Sequence, residues 1–332
     1  MINSNNIDNL IEVKNLKKYF LVRNKFFSRS KLYNKAIDDI SFSIKKGKIL
    51  GLVGESGCGK STTGKAILNL IEPTGGSVKF NNKVIFDVDK NIKLSKKELS
   101  SIRKDMQIIF QDPYGSLDPK MTIKNIVSEG IKKHKIIPPS EIENRCIELL
   151  SLCGMDKSCL NKYPHEFSGG QRQRICIARA LSLNPQFIVC DEPTAALDVS
   201  IQSQILNLML DLKENFSLTY LFISHNLSVV MNFCDDISVM YLGIIVESAP
   251  TNELRANPLH PYTKVLISSM PISHPLEKKH RILLKGSIPN GTNIPNGCRF
   301  HTRCPYCMEI CKVKSPKYKE ISPNHSVACH LF

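Results

Sequence analysis

Gly54-Glu55-Ser56-Gly57-Cys58-Gly59-Lys60-Ser61-Thr62 fits the pattern G-x-x-x-x-G-K-[ST]. Its glycines let successive backbone N–H groups turn inward around a phosphate with no Cβ in the way. Just before it, Ile49 to Val53 is a short apolar run that reads as a buried strand. Just after it, Thr62 to Ile71 carries Ala66, Ile67, Leu70 and Ile71, a spacing that predicts a helix. Strand, glycine loop and helix is the order such a loop needs, because the helix N-terminus adds its dipole and its unpaired donors. Lys60 is expected to reach the β- and γ-phosphates, and the Ser61 hydroxyl to ligate Mg²⁺. The motif implies a nucleotide phosphate without saying which machine uses it.

The chain has 332 residues, enough for a large core and a second, smaller unit. No apolar run approaches the ~20 residues that span a bilayer. Met1 to Leu10 is polar, with no signal-peptide core, so a cytosolic chain is expected, with any membrane role coming through partner subunits. The net charge of +15 comes from 45 basic residues, of which only 11 are Arg, spread along the chain. That spread reads as compositional drift, with weak attraction to an acidic membrane surface. No aromatic-interleaved basic stripe marks a nucleic-acid binder. Of the 12 cysteines, Cys58, Cys146, Cys153, Cys159, Cys176, Cys190 and Cys234 are scattered and are expected in or near the core.

Ile11 and Val13 followed by Tyr19-Phe20 suggest an edge strand entering a turn, with an aromatic placed either to stack on a base or to pack in the core or at the edge. Arg23 to Lys35 suggests an exposed hairpin loop, Ala36 to Ile44 a strand, Pro73 to Gly76 a turn, and Ser77 to Ile85 a strand pair. Ser95 to Asp105 reads as a charged helix leading into a buried strand, Met106 to Phe110, with Gln111 at its ligand-facing end. Thr122 to Cys153 and Lys157 to Tyr163 are helical patterns inserted into the α/β core, broken at Pro138-Pro139. Ser168-Gly169-Gly170 opens a helix from Gln171 to Leu183, a second anion-binding terminus. Phe187 to Glu192 is an apolar strand ending in two carboxylates: Asp191 to hold Mg²⁺ through water, Glu192 to act as general base. A helix from Ser200 to Glu214 and a strand from Leu218 to Ser224 follow, the latter delivering His225 to the same crevice.

Taken in this order, the segments resemble the ATP-binding cassette family: phosphate loop, Gln111, a signature at Phe167–Gln171, acidic strand end, Asp198 and His225. The resemblance implies an α/β fold of the P-loop NTPase type. It has a RecA-like core, an antiparallel β edge subdomain and an inserted helical subdomain at about 115–175 within a cassette spanning 7–250. It also implies a nucleotide-contacting set of Phe20, Gly54, Glu55, Ser56, Gly57, Cys58, Gly59, Lys60, Ser61, Thr62, Ser168, Gly169, Gly170, Gln171, Asp191 and Asp198. Ser61, Gln111 and Asp191 would hold Mg²⁺, and Glu192, His225 and Gln111 would be catalytic. The signature begins with Phe167 where many cassettes have Leu. Phe110 to Pro113, Tyr163 to Gln171, Ala196 to Gln202 and Asn257 to Thr263 look more narrowly like the ATP-binding subunits of oligopeptide and dipeptide importers. That family implies a head-to-tail pair of cassettes, a second cassette chain, two membrane permease subunits and an extracytoplasmic binding protein. It places the chain at the cytoplasmic face of the membrane.

Residues 251–332 look like that family's C-terminal extension, with Cys298, Cys304, Cys311 and Cys329 as four candidate ligands and Cys307 to spare. Thiolates in fours fit zinc or iron–sulfur, and the family resemblance favours a [4Fe–4S] cluster. Cys304-x₂-Cys307 with His301, His325 or His330 would instead suit zinc, and unmetallated thiols remain open. Other machines also remain open: an importer of nickel or another small solute, a soluble cassette acting on nucleic acid or ribosomes, or a regulatory cassette without turnover. A single phosphate loop argues against the soluble class, and intact Glu192 and His225 against the last.

Overall fold

A computed structural model describes residues 9–22, 32–270, 286, 289 and 291–332. It divides into two compact units, one of Met1–Lys93 with Phe222–Phe332, the other of Leu94–Leu221.

In the first unit, β1 (Asn9–Val22) buries Leu10, Ile11, Val13 and Leu16, and pairs antiparallel with β2 (Leu32–Lys45). Then come β3 (Ile49–Val53), buried at every residue, and α1 (Lys60–Ile67). After these, β4 (Gly75–Phe80), β5 (Lys83–Asp87) and β6 (Ile92–Lys93) complete an antiparallel sheet of order β2-β1-β4-β5-β6. So β1 is an interior strand, not the edge strand expected. What looks like the approach to a turn is a bulge: Asn15 takes φ 47°, the register shifts between Lys14 and Lys17, and the strand runs on through Tyr19 and Phe20. Of the hairpin loop expected at 23–35, Leu32 to Lys35 belong to β2, and 23–31 lie outside the described residues. The turn expected over Pro73–Gly76 is cut short, because Gly75 and Gly76 already pair in β4. The first helix stops at Ile67, where Asn69 turns left-handed at φ 51°.

The second unit starts with α2 (Lys96–Asp105), whose capping box pairs Ser95 with Glu98, and β7 (Met106–Ile109). Helices α3 (Ile123–His134), α4 (Ile142–Leu152) and α5 (Gly169–Leu181) pack on one another and bury Ile126, Val127, Leu149, Leu150, Ile175 and Ala178. β8 (Phe187–Asp191) pairs in parallel with β7 and is fully buried, as an apolar run of five residues requires. α6 (Val199–Phe216) leads into β9 (Thr219–Ser224), along which the chain passes from the second unit to the first.

Back in the first unit are α7 (Leu227–Phe233), β10 (Asp236–Tyr241), β11 (Ile244–Pro250), α8 (Thr251–Ala256) and α9 (Pro261–Ser268). α10 (Glu309–Val313), β12 (Lys319–Ser322) and β13 (His325–Val327) follow. β3 and β10 are parallel neighbours, β11 pairs antiparallel with β10, and β13 pairs antiparallel with β11. The C-terminal residues therefore extend the sheet that carries the phosphate loop. A buried polar knot fixes them there. Glu247 on β11 accepts from the Leu259 and His260 N–H groups at 2.7 and 2.9 Å and meets His325 Nε2 on β13 at 2.8 Å. The seven scattered cysteines are all buried, as their small apolar character predicts.

Candidate nucleotide site

The phosphate loop leaves the end of β3 and re-enters the helix at Lys60. Gly59 sits at φ 107°, and a Cβ there would lie 2.0 Å from the Ala36 carbonyl oxygen, so only glycine fits. No side chain caps α1, which leaves its first turn open toward an anion. Lys60 is 4% exposed and bridges the loop, its Nζ donating to the carbonyls of Gly54 at 2.7 Å and Glu55 at 3.1 Å. Cys58 is buried, and burial pushes its thiol up despite the neighbouring Lys60, so it packs rather than reacts. Ser56 and Gly57 are exposed, and Ser61 and Thr62 half-buried.

Glu55 is held from two sides. Its N–H donates to the Tyr262 hydroxyl at 2.9 Å, and its carboxylate takes both Nη atoms of Arg303, at 2.7 and 3.0 Å. Behind them Tyr241, Tyr262 and Phe300 form an aromatic cluster with ring centroids 4.8 to 5.4 Å apart. Arg299 pairs with Asp38 on β2 and donates to the Leu242 carbonyl. Asp38 also accepts from Tyr19. Burial would raise that carboxyl, but the Tyr19 hydroxyl and the Arg299 charge together hold it below the usual carboxylate range. Tyr19 is thus occupied, while the next residue, Phe20, is 41% exposed with Lys18 Nζ 4.8 Å from its ring centre.

In the second unit, the side-chain amide of Gln111, just past β7, donates to Glu192 Oε2 at 3.1 Å. Asp191 closes β8 and is 3% exposed. Glu192 then takes a left-handed backbone, φ 47°, which costs a non-glycine residue of order 1 kcal/mol or more. The turn ends the strand beneath the carboxylate. Ser168 caps α5 reciprocally: its hydroxyl accepts from the Gln171 N–H at 3.4 Å, and the Gln171 side chain accepts from the Ser168 N–H at 3.0 Å. A Cβ on Gly170 would meet Ile201 Cγ2 at 2.5 Å, so glycine lets α5 approach α6. Phe167 is buried and packs, as expected for its position. Asp198 caps α6, accepting from Ile201 N–H at 3.0 Å and Ser200 Oγ at 2.8 Å. These hydrogen bonds hold it below its usual range.

The structure thus gathers Gly54 to Thr62 with the C-terminal residues in the first unit, and Gln111 with Glu192 in the second. His225, exposed at the end of β9, belongs to the first unit; Ser168 to Gln171, Asp191 and Asp198 belong to the second. Sequence reasoning missed Arg303, Arg299 and the Tyr262 hydroxyl. Tyr262 falls within the stretch Asn257 to Thr263, which says nothing of its hydroxyl's partner, and no motif or periodicity marks Arg299 or Arg303; all three meet Glu55 or Asp38 only across more than 200 residues of sequence.

The expected metal site in the cysteine tail is not supported. Cys298 N–H donates to the Cys311 carbonyl at 2.8 Å. Burial, then the nearby Cys311, Cys329 and Cys304, push the Cys298 thiol up to about 11. Among the described residues no group of three or more His, Cys, Asp or Glu side chains is arranged to hold a metal ion. The histidines of the zinc alternative are engaged elsewhere: His325 with Glu247, His330 with the Lys314 carbonyl, and His301 with the Cys298 carbonyl.

Residues 37–195 match the family model for the ABC transporter, and residues 246–311 match the oligopeptide/dipeptide transporter C-terminal region. The oligopeptide transport ATP-binding protein AppF of Bacillus subtilis is 49% identical over 329 residues, which is 98% of each chain. OppF of the same organism, also an oligopeptide transport ATP-binding protein, is 46% identical, covering 97% of this chain and 96% of its own length. Among solved structures, cbiO1 of Clostridium perfringens, part of the ABC transporter complex cbiONQ, aligns with a TM-score of 0.63 at 29% identity. That alignment covers 75% of this chain and 92% of cbiO1. The ATP-binding cassette MJ0796, in a dimeric post-hydrolysis state bound to ADP and Pi, aligns with a TM-score of 0.62 at 29% identity, covering 73% and 98%. With such identity over nearly its whole length, and with both the cassette and the C-terminal region matched, the chain belongs to the ABC transporter ATP-binding proteins of the oligopeptide/dipeptide transporter family.

Proposed function

We propose that this chain is the ATP-hydrolysing subunit that powers import of oligopeptides or dipeptides through a membrane permease. The observation that carries the cargo class is the near-full-length similarity to oligopeptide transport ATP-binding proteins, C-terminal region included. Among the described residues no helix is long and apolar enough to cross a membrane, so the chain would reach the bilayer through permease subunits, at its cytoplasmic face. A second cassette, a different chain, would pair with it head to tail, and an extracytoplasmic binding protein would deliver the peptide.

In this reading the open first turn of α1 and Lys60 bind the β- and γ-phosphates, and Phe20 stacks on the adenine. Ser61, Gln111 and Asp191 offer hydroxyl, amide and carboxylate oxygens, the hard donors that Mg²⁺ takes; bound with ATP, the ion neutralises charge between the phosphates. Glu192 accepts a proton from the attacking water, oriented by Gln111, and His225 contacts the γ-phosphate. The exposed Ser168 and half-buried Gly170 of one cassette close on the γ-phosphate held by the other, so ATP joins the pair and hydrolysis releases it. Uptake of a labelled short peptide in cells lacking this chain tests the proposal. Rescue by wild type and not by Glu192→Gln supports it. An unchanged uptake in the deletion strain moves the cargo to another solute.

A further inference from the structure

An acidic side chain in a loop built to hold a triphosphate is an electrostatic cost, because Glu55 places a carboxylate in the loop that takes the anion. The structure shows how that charge is met. Arg303 lies in the C-terminal extension, 248 residues further along the chain, and its guanidinium forms a two-pronged pair with both Glu55 oxygens at 2.7 and 3.0 Å. The Arg303 side chain is 7% exposed and that of Glu55 24%, so water screens the pair only partly. Arg303 lies 6.0 Å from the Tyr241 ring centre and 3.5 Å from its hydroxyl, which fixes the direction of the fork. Tyr262, also in the extension, holds the Glu55 N–H. Arg299, four residues before Arg303, grips Asp38, which holds Tyr19 next to the exposed Phe20. The extension therefore touches the nucleotide region at two points, the phosphate loop and the strand carrying the base-stacking candidate.

We propose that Arg303 is a positioning residue for ATP, neutralising Glu55 and fixing the phosphate loop, so that the C-terminal extension sets the affinity of the site. The extension then tunes nucleotide binding as well as adding to the fold. Removing Arg303 leaves an unpaired, half-buried carboxylate in the loop that ATP must approach. Removing the carboxylate as well relieves most of that penalty, which a purely structural contact would not do.

The test is equilibrium binding of ATP to the full-length chain, with ATP turnover measured alongside. Arg303→Ala is expected to weaken ATP binding roughly tenfold and to raise KM with little change in kcat, the signature of lost uniform binding. The weakening should shrink as salt is raised. Glu55→Gln combined with Arg303→Ala should bind ATP more tightly than Arg303→Ala alone. Arg303→Lys, which keeps the charge but not the fork, should fall between wild type and Arg303→Ala, and it serves in its place if Arg303→Ala does not fold. Affinity of Arg303→Ala equal to wild type, or a double variant no tighter than the single, would overturn the proposal. A wild-type chain that does not bind ATP at all would overturn the nucleotide-site assignment with it.

Discussion

Two helix N-termini among the described residues are the candidate anion sites, and they are supported in opposite ways. α1 has no side-chain cap; its loop is held by a lysine folded onto loop carbonyls and by Tyr262 and Arg303 from the far end of the sequence. α5 supplies its own cap, Ser168 with Gln171, three residues apart and exposed. A helix end that must surround a ligand leaves its donors open and takes its order from tertiary contacts. One that meets a ligand only on its outer face can be finished locally. The first therefore depends on the extension; the second does not.

The largest effect expected lies on the locally built side. Glu192→Gln should lower turnover by about 10²–10⁴-fold while leaving ATP binding intact, read as phosphate release against nucleotide affinity. Normal turnover would reassign the base. On the remotely supported side, Asp38→Ala leaves the buried Arg299 guanidinium without its carboxylate and should destabilise the first unit by about 3 kcal/mol at neutral pH. The Asp38 pKa is held down in the folded chain, so this difference should persist above about pH 4 and close only as the pH falls below that. Denaturant midpoints across pH would show it, and an equal gap at pH 3 and pH 7 would contradict it.

Ser168→Ala should reduce turnover by roughly 10–100-fold, the worth of a hydrogen bond to a charged group, and should not alter ATP affinity of the isolated chain. Weaker binding by the isolated variant would break the comparison, since the α5 terminus would then serve the chain's own phosphate site. A pH-dependent effect concerns His260, which caps α9 by accepting from Tyr262 N–H at 3.0 Å and so supports the residue that holds Glu55. Burial pushes His260 down to about 3, so the folded chain keeps it neutral where the unfolded chain takes up a proton. Stability should therefore fall as the pH drops below about 6.5, by up to about 1.4 kcal/mol per pH unit from this group. His260→Asn, which keeps an acceptor, should flatten that slope. Equal slopes would mean that other groups govern it.

The phosphate loop, the buried strands Ile49–Val53 and Phe187–Asp191, and the helix capped by Ser168 were all legible in the sequence. Each is encoded within a few neighbouring residues: a glycine pattern, an apolar run, a capping box. The reading of β1 as an edge strand entering a turn failed because β4 pairs on its second side and a bulge at Asn15 lets the strand continue through Tyr19 and Phe20. The cysteine spacing was loose, and among the described residues no group of three or more His, Cys, Asp or Glu side chains is arranged to hold a metal ion.

The sequence by itself determined which chemistry the chain can host. Phosphate-binding glycines, a lysine, paired carboxylates at a strand end and a Ser-Gly-Gly helix start are local arrangements that neighbouring residues impose on one another. Only the tertiary structure decided what holds the phosphate loop. Arg303, Arg299 and Tyr262 reach Glu55 and Asp38 from more than 200 residues further along the chain, and β13 pairs with β11 in the sheet that also carries β3. Such a contact depends on sheet order and on buried charge seeking its partner, and neither is written in residue spacing.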